Sequence, residues 1–370
     1  AAIEVRFSDA TNRFFGSESD RSGVAACVIE VEEDGGCVLF VAGDDGTIAL
    51  LKMSAVGVFE RRPVEPKLAG GPFDSCEVGN FHDDVPPDVK YDPKIHARND
   101  VLLTARGGAR LLKRTGDATF ADVTEAAGLG GVKANAARWV DYEHDGDLDL
   151  FVGGPDGAAL WQNNGDGRFE NVTEKVGIAA AGSVLDVAVG DFDSNIAVDL
   201  AAARGTEPTL VFNNQRAGRF AAMPDPPGPW PPAKRVLIND LNNDGHADSV
   251  LVGEREAVIL FGQTATRQRI DLSSIAVSRV RFVDYDNDGW LDLLAVGNRR
   301  EAAEQGTVRL WRNPGGDPGT QEWSDVSQAT GLPAATVPPL RDVVAADMDL
   351  DGDTDLLLVA ASGGLRFLRN

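Results

Sequence analysis

The stretch DYDNDGWLDLLAVG, Asp284 to Gly297, joins an acidic loop to a run of apolar residues. Its first nine residues place oxygen-bearing side chains at positions 1, 3, 5 and 9. Calcium is a hard cation that takes six to eight oxygen ligands, and alternate residues of a tight loop can supply them. Gly289 at position 6 permits the positive φ that such a reversal needs. The stretch therefore predicts a calcium-binding loop, in which the backbone carbonyl of position 7, here Trp290, is a further ligand.

The same loop recurs along the chain. Intact copies are DYEHDGDLD from Asp141, DLNNDGHAD from Asp240 and DMDLDGDTD from Asp347, and a damaged copy, DFDSNIAVD from Asp191, has Ile196 in place of the glycine. Positive φ is costly for a β-branched residue, so the damaged loop is expected to be the weakest site. The predicted metal ligands are Asp141, Glu143, Asp145, Asp147, Asp149, Asp191, Asp193, Asn195, Ala197, Asp199, Asp240, Asn242, Asp244, His246, Asp248, Asp284, Asp286, Asp288, Trp290, Asp292, Asp347, Asp349, Asp351, Asp353 and Asp355.

The first half of this pattern matches an EF-hand, but the rest does not. An EF-hand needs a glutamate at position 12 and flanking helices. Position 12 is apolar in the four intact copies, Val152, Leu251, Ala295 and Leu358. The flanking runs are short, β-branched and bounded by glycine, which is typical of strands. Each loop is therefore predicted to be a hairpin tip closed by the aspartate at position 9.

The loops mark a repeat of the whole chain. Two further copies without a full ligand set begin at Glu30 and Asn80, so the loops start near residues 30, 80, 141, 191, 240, 284 and 347. Repeats of about 40 to 50 residues with four strands each are typical of β-propeller blades. The last repeat stops before its fourth strand, and VRFSDAT, Val5 to Thr11, has the form of the missing strand. We therefore predict an all-β fold: residues 1–370 form one seven-bladed propeller domain of four-stranded antiparallel blades, with an N-terminal strand completing the C-terminal blade.

The repeat also carries a phrase that points to a family. NNGDGRFENVTEKVGI follows the loop that begins at Asp141, and related phrases follow other loops. Together with the calcium loop, this phrase resembles the FG-GAP/VCBS-type repeats, whose seven-bladed members include the integrin α-subunit head and the cartilage acidic protein group. The resemblance covers nearly all of the chain. It implies a calcium-bearing propeller outside the cytoplasm, secreted, periplasmic or on the cell surface, used in adhesion or recognition.

Composition narrows the function further. The net charge of −23 disfavours nucleic acid as a partner, because the chain shows no basic patch to neutralise phosphates. The sequence contains neither a membrane-spanning apolar stretch nor a signal peptide, so the chain is expected to be a mature product or an excised domain. Three cysteines are too few for a disulfide framework. Cys27 and Cys37 flank one hairpin and could pair, but buried free thiols are the favoured expectation.

The predicted role is non-catalytic. The three to five calcium ions are expected to staple hairpins, and the chain lacks a nucleophile elbow, an HExxH helix and a phosphate-binding glycine loop. The favoured function is a protein-binding, adhesion or scaffold module. The alternative is a lectin-like propeller, in which Trp161, Trp290 and Trp311 could stack on sugars. A polysaccharide-active enzyme is the third possibility, because aspartate pairs are abundant.

Binding residues are expected where the repeats depart from their template. The residue five positions before each loop start is expected at one mouth of the central channel, so the seven repeats together place a ring of residues there. The charged members of this ring and their neighbours could bind an anionic ligand or a loop of a partner protein, or they could pair with one another. These weak ligand-binding candidates are Lys234, Arg235, Arg279, Arg341, Asp342 and Asp186. Insertions after residue 84, at 223–234 with Trp230, and at 298–306 are the other candidates, because long loops on a rigid scaffold often carry recognition.

Overall fold

The computed structural model describes residues 5–15, 23–31, 37–54, 57–65, 67–68, 73–81, 99–105, 108–178, 182–216, 218–223, 230–262, 264, 266–332 and 337–370. The strands of the first four blades are β2 (Ala25–Val31), β3 (Cys37–Ala42), β4 (Ile48–Met53), β5 (Phe59–Val64), β6 (Ser75–Gly79), β7 (Asp100–Thr104), β8 (Arg110–Gly116), β9 (Thr119–Asp122), β10 (Ala136–Val140), β11 (Asp149–Gly154), β12 (Gly157–Asn163), β13 (Phe169–Asn171), β14 (Asp186–Gly190), β15 (Asp199–Arg204), β16 (Glu207–Asn214) and β17 (Phe220–Ala222). The remaining elements are β1 (Ser8–Asp9), helix α1 (Thr11–Phe14), β18 (Arg235–Asn239), β19 (Asp248–Val252), β20 (Glu256–Leu260), β21 (Arg267–Asp271), β22 (Ile275–Val283), β23 (Asp292–Arg299), β24 (Ala302–Arg312), β25 (Ser324–Asp325), β26 (Leu340–Ala346), β27 (Asp355–Ala360) and β28 (Leu365–Arg369).

These strands form seven antiparallel four-stranded sheets, as the repeat predicts. Blades 1 to 6 each contain four consecutive strands, from β2–β5 to β22–β25, and blade 7 contains β26, β27, β28 and β1 in that order. The first strands of successive blades contact one another, and β2 also contacts β26, so the ring is closed. The predicted seven-bladed propeller is confirmed.

The hydrophobic core lies between the blades. Every residue of the second strands β3, β7, β11, β19 and β27 is buried, because a neighbouring blade covers each face of the sheet. The buried residues form seven clusters, one between each pair of adjacent blades. The apolar runs that follow each acidic loop therefore supply the packing that holds the blades in register.

The N-terminal strand closes the ring as the sequence predicts. In β1, Ser8 and Asp9 pair with the last strand, β28, in antiparallel register. The Asp9 carboxylate accepts a hydrogen bond of 2.7 Å from Arg366, and the ring of Phe14 lies 4.7 Å from that of Phe367. This pairing covers the edge of blade 7 that an open sheet would otherwise expose.

The cysteines do not behave as expected. Cys27 of β2 and Cys76 of β6 form a disulfide with a Cα–Cα distance of 6.1 Å, and Cys37 is a buried free thiol. The alternative pair, Cys27 and Cys37, is excluded by the strand register, which places Cys27 opposite Phe40 and Cys37 opposite Val31. The sequence could not show that β2 and β6, the innermost strands of adjacent blades, lie side by side.

Two of the insertions fall wholly or partly outside the described residues. The interruption of the second repeat, with Tyr91, lies in the undescribed range 82–98, the first acidic loop includes 32–36, and the proline-rich insertion includes 224–229. Trp230 at the end of that insertion is buried against Phe192, with ring centroids 5.2 Å apart, so it belongs to the core between blades 4 and 5. The insertion at 298–306 lengthens the hairpin of β23 and β24.

Candidate metal centres and the channel

The backbone of each acidic loop is organised by the aspartate at position 1. In blade 6, the two carboxylate oxygens of Asp284 accept hydrogen bonds of 3.0 Å from the backbone N–H groups of Asp288 and Gly289. The Asp288 carboxylate in turn accepts a 2.9 Å bond from the N–H of Trp290. Corresponding bonds to the position-1 aspartate recur in the loops that begin at Asp141, Asp191, Asp240 and Asp347. The loops are therefore shaped by their own carboxylates.

Each of the five loops has two residues in the left-handed backbone conformation, at positions 4 and 6, and the sequence indicated the one at position 6. The predicted glycines at position 6 have φ between 83° and 95°, and Ile196 in the damaged loop takes φ 77° with 81% of its surface exposed. Position 4 is also left-handed in all five loops, although it is never glycine: His144, Ser194, Asn243, Asn287 and Leu350 have φ between 54° and 64°. The reversal is therefore held by the hydrogen bonds of the acidic side chains and does not depend on glycine alone.

The aspartate at position 9 is the buried end of each loop. Asp292 is fully buried, and its two oxygens accept backbone hydrogen bonds from Tyr285, at 3.3 Å, and from Asn313, at 2.8 Å. Burial raises its pKa to about 7 despite these bonds, and the nearby carboxylates of the same loop add to the shift. The equivalent aspartates behave alike: burial raises the pKa of Asp149 and Asp355 to about 7 and that of Asp199 and Asp248 to about 6. Each of these five carboxyl groups is thus buried with other carboxylates of its own loop nearby.

An asparagine that the sequence analysis missed ties four of these five loops, those of blades 3, 4, 6 and 7, to the preceding blade. Besides donating its N–H to Asp292, Asn313 donates its side-chain amide to the carbonyl of Leu241 in the loop of blade 5, at 2.8 Å. Asn163, Asn214 and Asn370 make the same two kinds of contact in blades 3, 4 and 7. Their recurrence at the end of the third strand was the signal that could have identified them.

Side-chain oxygens at position 3 of the loops indicate a binding site for a cation. The position-3 side chain of four loops has one buried oxygen without a hydrogen-bond donor: Glu143 Oε2, Asn242 Oδ1, Asp286 Oδ1 and Asp349 Oδ1. A buried polar atom without a partner costs free energy, so each of these oxygens needs a cation or a donor. The side-chain ligand atoms predicted at positions 1, 3, 5 and 9 are oxygen atoms, which suits a hard divalent ion.

Three loops bring carboxylates close enough to share one ion. Carboxylate oxygens of each group lie within 4.8 Å of one another, and the groups are Asp191, Asp193 and Asp199; Asp284, Asp286 and Asp292; and Asp347, Asp349 and Asp351. The structure thus brings together positions 1, 3 and 9 in two loops and positions 1, 3 and 5 in the third. These acidic clusters could hold metal ions.

The charged residues predicted at the channel mouth contact one another. Arg279 and Asp342 are buried and form an ion pair of 3.2 Å, which Arg281 joins at 3.3 Å. Arg138 bridges Glu77 and Asp186, at 2.7 and 3.6 Å. Burial lowers the pKa of Arg279, but the Asp342 and Asp186 carboxylates outweigh that effect and leave the pKa raised.

The other candidates at the mouth bond to main-chain groups or lie at the rim. Arg235 donates to the carbonyls of Leu185 and Ser278, at 3.1 Å each, and Arg341 donates to that of Phe73 at 3.0 Å. Lys234 is exposed and forms an ion pair with Glu254. A role for these residues in ligand binding stays a prediction.

The tryptophans considered for sugar stacking have different surroundings. Trp311 is buried in the core between blades 5 and 6. Trp161 is half-buried and lines an open groove of about 1040 Å³ together with Lys133, Asn171 and Glu174. Trp290 is also half-buried, in the loop of blade 6. Of the three, Trp161 thus lies beside a groove large enough for a small ligand.

Comparison with known proteins places the fold. No curated protein matches the chain. Two crystal structures of BBS1N in complex with ARL6DN, soaked with lead and with mercury, have TM-scores of 0.57 and 0.54 at 13% and 11% identity. In both cases 99% of this chain and 97% of the other are covered. A structure of an Agrocybe aegerita lectin that recognises non-reducing terminal N-acetylglucosamine has a TM-score of 0.48 at 18% identity, covering 85% of this chain and 82% of that chain.

A family model gives the assignment. The model for the FG-GAP-like repeat matches residues 97–152, 141–202, 240–295 and 284–358, which together are more than half of the chain. Each matched segment contains at least one of the acidic loops described above, together with strands of its blade. The chain, a ring of seven blades, belongs to the FG-GAP-like repeat family.

Proposed function

We propose that residues 1–370 form a single calcium-stabilised, non-catalytic propeller that binds a protein partner outside the cytoplasm. The calcium part rests on one observation above all: the loops that begin at Asp141, Asp240, Asp284 and Asp347 each contain a buried position-3 oxygen without a donor. Positions 1, 3, 5 and 9 and the carbonyl of position 7 would hold the ion. When bound, calcium supplies positive charge to carboxylates that otherwise repel one another.

The role of calcium in this proposal is structural. Each loop joins the first two strands of its blade, and its position-9 aspartate is tied to the third strand through a backbone N–H, as Asp292 is to Asn313. An ion at the loop would therefore bind three strands of one blade together. Because the ion binds the folded loop and not the unfolded chain, it stabilises the fold by mass action. Three to five ions are expected per chain, with the loop of Ile196 the weakest.

The proposal of a non-catalytic role rests on the surroundings of the candidate residues. His144 and His246 lie within acidic loops, where their neighbours shape the backbone. The buried charges of the channel, such as Arg279 and Asp342, are paired with each other. Among the described residues, His246 contacts Ser194 at 2.6 Å and the channel charges pair with one another, which supports structural roles for these groups.

The location outside the cytoplasm is supported by the disulfide between Cys27 and Cys76. Disulfides form and persist in oxidising compartments and are rare in the cytosol. Among the described residues, no helix has the length and apolar character needed to cross a bilayer.

Two features support a protein as the partner. The BBS1N propeller, whose fold this chain shares, was crystallised in complex with ARL6DN. The hairpin of β23 and β24 extends beyond the neighbouring hairpins and carries Arg300, which forms an ion pair of 2.8 Å with Glu254. Lys234 pairs with the same glutamate, so this edge of blades 5 and 6 offers a charged surface.

A glycan is the second candidate ligand, because Trp161 lines a groove of about 1040 Å³ with polar side chains around it. Aromatic side chains beside polar groups are common in sites that orient a small ligand. A glycan array distinguishes a glycan ligand from a protein partner. Calcium-dependent binding of one sugar class that is lost in the Trp161→Ala variant would show that the ligand is a glycan and would contradict the proposal of a protein partner.

The calcium proposal is tested by stripping the protein of metal and titrating calcium back during thermal melting, with elemental analysis of the loaded protein. We expect three to five calcium ions per chain and a rise of the melting temperature by many degrees. A chain with no bound calcium and an unchanged melting temperature would contradict the proposal. Magnesium at the same concentration is the control, because its smaller octahedral shell suits these loops poorly.

A further inference from the structure

Blades 6 and 7 each direct an arginine from the end of the third strand into the acidic loop. In blade 6, Arg312 donates from Nε to Asp286 Oδ2 at 2.8 Å and from Nη2 to Asp288 Oδ2. In blade 7, Arg369 donates from Nε to Asp349 Oδ2 and from Nη2 to Asp351 Oδ2, the latter at 2.6 Å. Each guanidinium thus bridges the carboxylates at positions 3 and 5 of its loop.

The arginines occupy only one oxygen of each carboxylate. The other position-3 oxygens, Asp286 Oδ1 and Asp349 Oδ1, are buried and have no hydrogen-bond partner. The second oxygen of Asp288 accepts the N–H of Trp290 at 2.9 Å, as that of Asp351 accepts the N–H of Asp353 at 3.1 Å. The guanidinium therefore holds the position-3 carboxylate in one orientation and leaves its other oxygen for a cation.

The residue at the same strand position is neutral in blades 3, 4 and 5. In blade 3, Gln162 donates to Glu143 Oε1, and in blade 4, Asn213 donates to Asp193 Oδ2 at 2.5 Å. In blade 5 this position is Phe261, and the position-3 side chain, Asn242, instead donates its own amide to Asp244 at 2.9 Å. A donor to position 3 is thus a general feature of blades 3, 4, 6 and 7, but the positive charge occurs in blades 6 and 7.

We propose that Arg312 and Arg369 are internal counter-ions that weaken calcium binding at the loops of blades 6 and 7 and hold these loops in shape without calcium. The inference rests on the proposed function, since it concerns the affinity of calcium sites. The guanidinium cancels one of the four negative charges at positions 1, 3, 5 and 9 of each loop. A unit charge about 6 Å from a divalent ion changes a binding constant by about tenfold at the dielectric constant of water, and salt reduces the effect to about threefold.

The proposal predicts an order of filling. The loop of blade 3 has four carboxylates, as do the loops of blades 6 and 7, but its strand donor is the neutral Gln162. Its affinity for calcium should therefore exceed that of the two arginine-bearing loops. Because arginine already reduces the repulsion in blades 6 and 7, complete removal of calcium should disturb blade 3 more than blades 6 and 7.

The test removes the charge and keeps a donor. The variants R312Q and R369Q place in blades 6 and 7 the residue that blade 3 uses, and Q162R does the reverse. R309Q is the matched control, because Arg309 lies in the same strand as Arg312 but pairs with Asp325 at 3.1 Å, away from the loop. Stoichiometric binding constants come from titration of metal-stripped protein with calcium against a chromophoric chelator, and the melting temperature of the metal-free protein is measured in parallel.

We expect R312Q and R369Q each to tighten one calcium-binding constant threefold to tenfold and to melt at a lower temperature than the wild type when metal-free. Q162R should bind its strongest ion more weakly, and R309Q should show neither change. Calcium binding that is unchanged or weaker in R312Q and R369Q would overturn this inference while leaving the proposed calcium sites in place. A wild-type protein that binds no calcium would overturn both.

Discussion

The metal-free protein should lose stability as the pH rises from 5 to 8. The groups responsible are the five buried aspartates at position 9, whose pKa burial raises to about 7 in blades 3, 6 and 7 and to about 6 in blades 4 and 5. In the unfolded chain such a carboxyl group has a pKa near 3.8. Between these two values the folded state binds protons that the unfolded state has released, so the free energy of unfolding falls as the pH rises from about 4 to about 7.

The size of the loss follows from the same linkage. Between pH 5 and pH 8, an aspartate with a folded pKa of about 7 loses about 2.5 kcal/mol of stabilisation, and one with a pKa of about 6 loses about 1.4 kcal/mol. The five aspartates lie in five different blades, so we expect their contributions to add to roughly 10 kcal/mol. For a chain of this length, about 1 kcal/mol corresponds to about 1.3 °C, and the expected fall in melting temperature is therefore about 13 °C.

The assay is thermal melting of metal-stripped protein, followed by circular dichroism, in buffers passed over a chelating resin at pH 5, 6, 7 and 8. The same series with millimolar calcium is the control. Calcium favours the ionised carboxylates, so the loaded protein should keep its melting temperature or gain stability over this range. A melting temperature of the metal-free protein that stays level or rises between pH 5 and 8 would refute the reasoning.

Three further predictions concern contacts between blades. Reduction of the Cys27–Cys76 disulfide should lower the free energy of unfolding by about 4 kcal/mol, measured by chemical denaturation with and without reductant, and equal stabilities would contradict a structural role. Replacement of Asn313 by alanine removes the hydrogen bonds that its side-chain amide donates to the carbonyls of Leu241 in blade 5 and Leu291 in its own loop. The free energy of unfolding should fall by about 1 to 3 kcal/mol in the same assay. A fall of less than about 0.5 kcal/mol would show that these hydrogen bonds are dispensable for stability. Replacement of Arg279 by methionine leaves the buried Asp342 carboxylate with its ion pair to Arg281 alone and should cost about 3 kcal/mol, part of which the added D342N substitution should restore; if the double variant is less stable than the single one, the pair is not the cause.

Much of the fold was predictable because its information is local and repeated. Asp284 to Gly297 encodes a loop and a buried strand, and its copies reveal the number of blades. Even the closing strand was predictable, because Val5 to Thr11 has the form of a fourth strand that the last repeat lacks. Residues within one loop, such as Asp284 and Asp286, were predicted to act together because their spacing alone places them on one turn.

The partners that the sequence analysis missed come from other strands or other blades. Arg312 lies 26 residues from Asp286, and Asn313 reaches a carbonyl 72 residues away in blade 5. The left-handed conformation at position 4 was missed because its residue types vary and none is glycine. In each case the sequence contained the residue, but its role depended on where another strand had been placed.

The sequence by itself thus determined the seven-fold repeat, the antiparallel hairpins and the oxygen-rich loops, because each depends on residues close together along the chain. Only the tertiary structure decided that Cys27 pairs with Cys76, that Arg279 and Asp342 neutralise each other, and that arginines enter two of the loops. The physical reason is the closure of the ring. Closure sets the inner strands of neighbouring blades side by side in the channel, and the sheet pairing within each blade brings the end of the third strand against the loop.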